Sequence, residues 1–164
     1  MRWDAFAEAC PQIAGPAAER FSADEVVMLG TIRADGRPRL SPCELDFAAG
    51  RLCFGMMWRS HKALDLLRDP RLAVHSVPIG RMNPSGDIKL AGLALEETDP
   101  DVRAVYKAVL EERIDWVPDE PFHVFSLDVT EAAILRFGEA DRRLALRWDE
   151  PGGFRMLRHP DEPS

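Results

Sequence analysis

The sequence predicts a mainly β protein, a small barrel of seven or eight short strands with helices attached. Short apolar runs follow one another from residue 25 onward, and turn segments that contain glycine separate them. Two stretches among these runs have helical character, one between the third and fourth runs and one after the fifth. Because a sheet that closes on itself leaves no unpaired edge, a barrel suits strands that follow one another along the chain.

The N-terminal segment, residues 1–22, is predicted to form a helical cap over the barrel. Large apolar residues recur there at helical spacing between residues 3 and 20. Pro11 and the Gly15-Pro16 pair are expected to divide this helix into two pieces, because proline lacks the N–H that a helix interior needs and glycine next to proline marks a turn.

The next segment predicts a three-stranded antiparallel meander over residues 26–33, 38–46 and 51–57. The breaks between these strands, "ADGR" and "AAGR", each hold a glycine that can take a positive φ. The chain has three cysteines, an odd number, and no two of them have CxxC spacing. They predict neither a disulfide framework nor a zinc site.

The remaining elements alternate between strands and helices. Asp99-Pro100 is a strong helix start, with aspartate as the N-cap and proline at the first position. The predicted elements are a helix near 61–68, strands over 71–78 and 87–97, a helix from 100, a long strand over 122–137, and short strands near 143–149 and 153–158. Together they predict one domain with a cap at 1–22, a barrel core at 24–137, a C-terminal hairpin at 138–158 and a tail at 159–164.

Composition limits the classes of function. The 164-residue chain has a formal net charge of -7, which argues against general binding of nucleic acid, since that affinity comes mostly from neutralised phosphates. No apolar run reaches the length of about 18 residues that a membrane span needs. The start of the chain has early acidic residues and no apolar signal region, so a cytoplasmic protein is expected.

The stretch "WRSHK" at residues 58–62 is the best candidate for a binding site. The first turn of a helix favours acidic side chains because the helix dipole is positive there. This helix instead begins with Arg59, Ser60, His61 and Lys62, and its first acid is Asp65. Free backbone N–H groups, a hydroxyl and two cations at a helix start together predict a site for a phosphate group. A solvated basic turn is the alternative.

Three segments in this order resemble the flavin-binding split-barrel superfamily of pyridoxamine 5′-phosphate oxidases, in particular its small actinobacterial-type members. The segments are "RADGRPRLSP", "GRLCFGMMWRSHKALDLLRDPRLAVHS" and "GDIKLAG". The resemblance covers roughly residues 24 to 137. It implies a split β-barrel with a Greek-key-like strand order, and flavin mononucleotide (FMN) bound at the interface of a homodimer.

The resemblance also assigns roles to residues of the "WRSHK" turn. In that family a Ser-Arg-Lys triplet before the first inter-strand helix holds the flavin phosphate, and the matching residues here are Ser60, His61 and Lys62. Histidine in the middle departs from the family pattern, and Arg59 is the nearest cation that would replace the missing arginine.

Three further residues are implied as cofactor contacts. Arg39 on the second strand matches a basic residue that reaches the phosphate or the ribityl chain, and Ser41 could offer backbone groups to the flavin ring. Lys89 on the fifth strand matches a polar position that contacts the flavin from the other subunit. Its neighbours Ile88 and Leu90 are apolar, so Lys89 is predicted to face away from them.

Three functions follow from these observations. The first is an FMN-dependent oxidoreductase that acts on a small-molecule substrate. The second keeps the fold but uses the 8-hydroxy-5-deazaflavin coenzyme, which also carries a phosphate. The third is a non-catalytic flavin or haem binder, with His61 or His75 as the axial ligand. No residue is identified as a general base, and no basic cluster for a second phosphate, on a substrate, stands out.

Overall fold

The computed structural model describes residues 1–80, 83, 85–137 and 143–159, and these hold four helices and nine strands. The helices are α1 (Trp3–Ala9), α2 (Pro11–Asp24), α3 (His61–Arg68) and α4 (Pro100–Ile114). The strands are β1 (Val26–Ile32), β2 (Pro38–Glu44), β3 (Asp46–Ala48), β4 (Arg51–Met57), β5 (Arg71–Ser76), β6 (Asp87–Glu96), β7 (Phe122–Phe137), β8 (Arg143–Asp149) and β9 (Gly153–His159).

All nine strands belong to one antiparallel sheet, which confirms the predicted mainly β class. The order is β2-β1-β5-β6-β7-β4-β3, with β8 and β9 attached beside β7. The 16-residue strand β7 pairs with β4 near its start, with β6 along most of its length and with β8 near its end. Strand β7 therefore joins the walls of the barrel.

The predicted helical cap packs on the inner face of this sheet. Trp3 and Phe6 of α1 and Phe21 of α2 are buried in the main core. The Phe6 ring meets Trp148 of β8 edge to face, with ring centroids 5.0 Å apart. Such aromatic contacts add to the free energy gained by burying the rings.

The predicted break at Gly15-Pro16 is wrong. Helix α2 runs from Pro11 through Pro16 to Asp24, so the one break is at Cys10, between α1 and the first residue of α2. Pro16 removes one backbone hydrogen bond inside the helix. The neighbouring Ile13 and Ala17 are fully buried against the core, and this packing holds the helix together across the proline.

The predicted meander is wrong because its third strand, β4, does not pair with β2. The segment 38–46 divides at Leu45 into β2, which pairs with β1, and β3, which pairs with β4. Leu45 is buried and belongs to neither strand, and the pairing partner of the chain changes there from β1 to β4. The chain therefore crosses to the other wall of the barrel, where β4 pairs with β7 rather than with β2.

The predicted C-terminal hairpin and tail lie partly outside the described residues. The two C-terminal strands occur where they were expected, whereas residues 138–142 and the predicted tail from 160 onward lie outside the described residues. Within the described parts of the chain, no helix is long and apolar enough to cross a membrane. The three cysteines are free and buried.

Candidate functional site

The turn between β4 and α3 has the geometry of a helix start. Arg59 takes a left-handed conformation with a φ of 52°. The Ser60 N–H donates to the Met57 carbonyl at 3.1 Å, and the Leu64 N–H donates to the Ser60 carbonyl at 2.9 Å. Helix α3 thus begins at His61, as predicted, and Ser60 is its N-cap residue.

The Ser60 hydroxyl is buried and has no hydrogen-bond partner within the described structure. It also makes no capping bond to the helix, which is the usual role of serine at this position. A buried polar group without a partner costs about 1–3 kcal/mol. This hydroxyl is therefore available to a ligand that binds at the start of α3.

Lys62 points toward β2 rather than into solvent. Its Nζ donates to the Pro42 carbonyl at 3.2 Å. Burial raises the pKa of the neighbouring Cys43 thiol, and the positive charge of Lys62 opposes that rise. The ammonium group is therefore held at the line where α3 meets β2, which does not fit the alternative of a fully solvated basic turn.

Arg39 is tied to α3 by an ion pair. Its Nε donates to Asp65 Oδ2 at 2.6 Å, and the Thr31 hydroxyl donates to the same oxygen at 3.0 Å. Burial acts to raise the pKa of Asp65, but these two hydrogen bonds outweigh it and lower that pKa below its ordinary value. The terminal guanidinium nitrogens of Arg39 have no protein partner among the described residues, so they remain for a ligand.

Four of the predicted site residues lie together between β2 and α3 and are called here the β2–α3 cluster. They are Arg39, Ser41, Ser60 and Lys62. Arg39 and Ser41 are half-buried on the inward side of β2. Since Asp65 meets Arg39 and Lys62 meets Pro42, Ser41 lies between the two contacts that join strand and helix. The other two residues of the turn, Arg59 and His61, are exposed at its rim.

Lys89 lies elsewhere. It is exposed on β6 and faces away from the buried Ile88 and Leu90, as predicted. Its face of the sheet carries a groove of about 390 Å³, called here the outer groove. The outer groove is lined by residues that include Gly30, Ala73, His75, Lys89, Ala91 and Ala133. Lys89 and the β2–α3 cluster therefore lie on opposite faces of the sheet.

A second pocket, called here the β4–α4 pocket, lies next to the turn. It has a volume of about 440 Å³ and is lined mainly by apolar residues of β4, α4 and the segment after α4. The lining includes Met57, Trp58, Tyr106, Trp116 and Phe122, together with the acids Glu44 and Asp119. Met57 and Trp58 immediately precede Arg59 and Ser60, so this pocket and the candidate phosphate site share the end of β4.

The residues of this pocket were not predicted from the sequence. Trp58 and Trp116 each follow the end of a regular element, where no periodic pattern accounts for a large apolar side chain. A tryptophan placed just beyond the end of a strand or helix is the sequence signal that could have indicated this pocket. Within the described residues, no three His, Cys, Asp or Glu side chains are grouped as metal ligands.

Comparison with known proteins gives one match to a family and several to solved structures. The model of the family described as pyridoxamine 5′-phosphate oxidase matches residues 15–136. An FMN-binding protein from Nostoc punctiforme, related to pyridoxamine 5′-phosphate oxidase, has a similar structure, with a TM-score of 0.66 and 18% identity over 93% of this chain and 96% of that one. No curated protein sequence matches the chain.

Two further solved structures share the fold. PhzG from Burkholderia lata, in complex with tetrahydrophenazine-1-carboxylic acid, has a TM-score of 0.63 and 13% identity over 94% of this chain and 91% of that one. A haem-binding protein from Mycobacterium smegmatis has a TM-score of 0.56 and 20% identity over 86% of this chain, which spans 55% of the length of that protein. These likenesses confirm the predicted split barrel.

Proposed function

Because this chain belongs to the pyridoxamine 5′-phosphate oxidase family, we propose that it binds FMN and acts as a flavin-dependent oxidoreductase on a small molecule. The observation that carries this proposal is the buried Ser60 hydroxyl without a partner at the start of α3. A phosphate oxygen is the acceptor that such a donor lacks.

The groups around Ser60 fit a phosphate monoester. The N–H groups of the first helical turn, those of His61, Lys62 and Ala63, have no acceptor inside the helix. Lys62 and the free nitrogens of Arg39 add positive charge from the helix and from β2. Asp65 is the nearby acid on α3, and it pairs with both Arg39 and Arg68, so these two arginines leave one net positive charge beside it. All the remaining groups are therefore donors.

The protein's part in the reaction is to hold and orient its ligands. When bound, FMN supplies hydride or electron transfer, so the protein needs no strong nucleophile of its own. The β2–α3 cluster would fix the phosphate end of the cofactor, and the mainly apolar β4–α4 pocket lies beside it.

Replacing Ser60 with alanine tests the proposal. Loss of an ordinary serine cap costs about 0.5–2 kcal/mol of stability. Here the hydroxyl makes no capping bond and is buried without a partner, so its removal should not destabilise the apo protein and should stabilise it by up to about 1–3 kcal/mol. FMN affinity, measured by quenching of flavin fluorescence, should fall by about 0.5–1.5 kcal/mol, the net value of one hydrogen bond.

The matched control is Asp99→Ala at the start of α4. Asp99 does cap its helix, because its Oδ1 accepts from the Asp101 N–H at 2.9 Å. This variant should lose about 1 kcal/mol of stability and keep its FMN affinity. If Ser60→Ala instead lost stability and bound FMN like the wild type, Ser60 would be an ordinary cap and the proposed phosphate site would be wrong.

The deazaflavin coenzyme is the main alternative for this site, since the same donors would accept its phosphate. Its acidic tail is harder to place, because the pocket beside the turn carries Glu44 and Asp119. Titration of the apo protein with both cofactors decides between them, and we expect the tighter binding for FMN.

A homodimer with the cofactor sites at its interface is part of the same proposal. The outer groove has a floor of small residues, Gly30, Ala73, Ala91 and Ala133, beside the exposed Leu40. Small side chains let a second copy approach this face closely. A partner placed there would cover Lys89, for which the family resemblance implies a contact with the other subunit. Light scattering should give twice the mass of one chain, and a monomer mass would remove this part of the proposal.

Haem binding is a second candidate function, which one contact favours. His75 lines the outer groove, and its Nδ1 lies 2.6 Å from the Ser76 carbonyl. That hydrogen bond would leave Nε2 as the metal ligand. Titration with hemin should then produce a shifted Soret band in the wild type that His75→Ala lacks, and an unshifted band would exclude haem ligation.

A further inference from the structure

We propose that the β4–α4 pocket binds a flat aromatic cation that carries no phosphate group, and that this is the substrate class of the protein. The second half of this statement depends on the function proposed above, whereas the first half does not. Four features of the pocket support the proposed ligand: a fixed tryptophan, an exposed tryptophan, a narrow floor and an acidic lining.

Trp58 presents a fixed aromatic surface. Its indole stacks on the His123 ring with centroids 4.4 Å apart and an angle of 12° between the planes. His123 is buried, and its Nδ1 lies 2.7 Å from Glu96 Oε1, which holds the imidazole in place. Trp58 nevertheless remains 51% exposed, so part of a pre-oriented indole is open to a ligand.

Trp116 adds a second open indole to the same pocket. It lies just after α4, where the chain leaves the helix through the left-handed Asp115, and it is 56% exposed. A single exposed apolar residue is common, but contiguous exposed apolar surface, such as two indoles at one pocket, marks an interaction site. Two open indoles at one pocket favour a planar partner on which both can stack.

The floor of the pocket is held close by Gly55. The buried Tyr106 lies against this glycine, and a Cβ added there would come within 2.3 Å of the Tyr106 hydroxyl oxygen. The glycine therefore lets α4 approach β4 and keeps the floor narrow. The volume of about 440 Å³ is within the range of small-molecule sites, and it suits a ligand of two or three fused rings.

The charge of the lining selects a cation. Among the described residues that line the pocket there are two acids, Glu44 and Asp119, and no lysine or arginine. Asp119 has no ion-pair partner in the described structure. A positive charge would gain from these carboxylates and from the faces of the indoles, whereas a phosphate would be repelled.

The cations nearest to the pocket offset these acids only in part, because Arg113 pairs with Glu44 and no described cation pairs with Asp119. Arg103 and Lys107 both pair with Glu120, at 3.0 Å and 2.7 Å. Arg113 is shared between the buried Asp46, at 2.7 Å, and the lining acid Glu44, at 3.5 Å. The three cations Arg103, Lys107 and Arg113 thus face the four acids Glu120, Asp46, Glu44 and Asp119, so one net negative charge remains around the pocket.

Two dyes of the same ring size and opposite charge test the proposal. The apo protein is titrated with the cation 9-aminoacridine and with the anion anthracene-9-carboxylate, and dye fluorescence is followed. We expect the cation to bind at least tenfold more tightly. Trp116→Ala should weaken cation binding tenfold or more, whereas Leu157→Ala, a change at an exposed apolar residue outside the pocket, should leave it unchanged.

Substitution of one acid tests the charge selection. Asp119→Asn should lower the preference for the cation at least threefold, and Asp35→Asn on the β1–β2 hairpin should leave it unchanged. Equal or tighter binding of the anion, or full cation binding by Trp116→Ala, would overturn the proposal. Both tryptophan and aspartate variants change exposed side chains, so they should fold normally.

The proposals for the pocket and for the phosphate site can be tested separately. Lys62→Ala should leave the affinity for 9-aminoacridine unchanged, and saturating FMN should not displace the dye. Displacement by FMN would overturn the substrate assignment, because the pocket would then hold the flavin itself. If the protein bound the dye but no FMN, the ligand class proposed for the pocket would be supported and the proposed oxidoreductase function would be wrong.

Discussion

An alanine in place of Lys62 should weaken FMN binding by about 1.5–3 kcal/mol, the range for a hydrogen bond to a charged group. The Lys62 ammonium is already held beside Pro42 by a bond of 3.2 Å, so a bound phosphate would gain its charge with little further loss of side-chain entropy. Titration of the apo variant, followed by quenching of flavin fluorescence, measures the loss directly.

The control for Lys62→Ala removes an equal charge at a different place. Arg37 lies just before β2, its side chain is 77% exposed and its Nε lies 3.9 Å from Asp35. Arg37→Ala should therefore keep FMN affinity within about 0.5 kcal/mol of the wild type, since an exposed charge is well screened. Equal affinities for Lys62→Ala and the wild type would mean that the phosphate is bound elsewhere.

Gly92→Ala should destabilise the protein by about 3 kcal/mol or more, at the upper end of overpacking substitutions. Gly92 lies in β6 beside a bulge, where Ala91 pairs with Glu131 and Gly92 already pairs with Val129. A Cβ at Gly92 would come within 1.9 Å of the Asp128 carbonyl oxygen, which belongs to the backbone of β7. The two central strands would have to separate to accept it.

Urea unfolding of Gly92→Ala and Gly30→Ala checks this prediction. Gly30 is also inside a strand, but a Cβ there would meet its nearest neighbour at 3.6 Å, an ordinary contact. Gly30→Ala should therefore be neutral, or stabilising by roughly 0.5–1 kcal/mol, because it restricts the unfolded chain. Equal stability of the two variants would show that the close approach at Gly92 is not a constraint.

The elements that local signals define were predictable from the sequence. Helix α3 was expected near residues 61–68 and spans those residues, with Ser60 at the N-cap position and Asp69-Pro70 directly after its end. The outward direction of Lys89 followed from its two apolar neighbours, since strand side chains alternate. Such features depend on residues within a few positions of one another.

Features that depend on distant residues were not predictable. The pairing of β4 with β7 joins segments about 70 positions apart, and a single sequence carries no signal for it. Arg39 was expected to face a phosphate, but its bond to Asp65 spans 26 positions and appears only once α3 lies against β2. The β4–α4 pocket likewise combines Trp58 with Trp116, which no local pattern connects.

The central claim is that the start of α3 binds the phosphate of the cofactor, and comparison of FMN with riboflavin tests it most directly. The two molecules share the flavin ring and the ribityl chain and differ in the phosphate. Since the donors at Ser60 and Lys62 would contact only that group, apo protein titrated with each should bind FMN at least about tenfold more tightly. Equal affinity for FMN and riboflavin would contradict the claim.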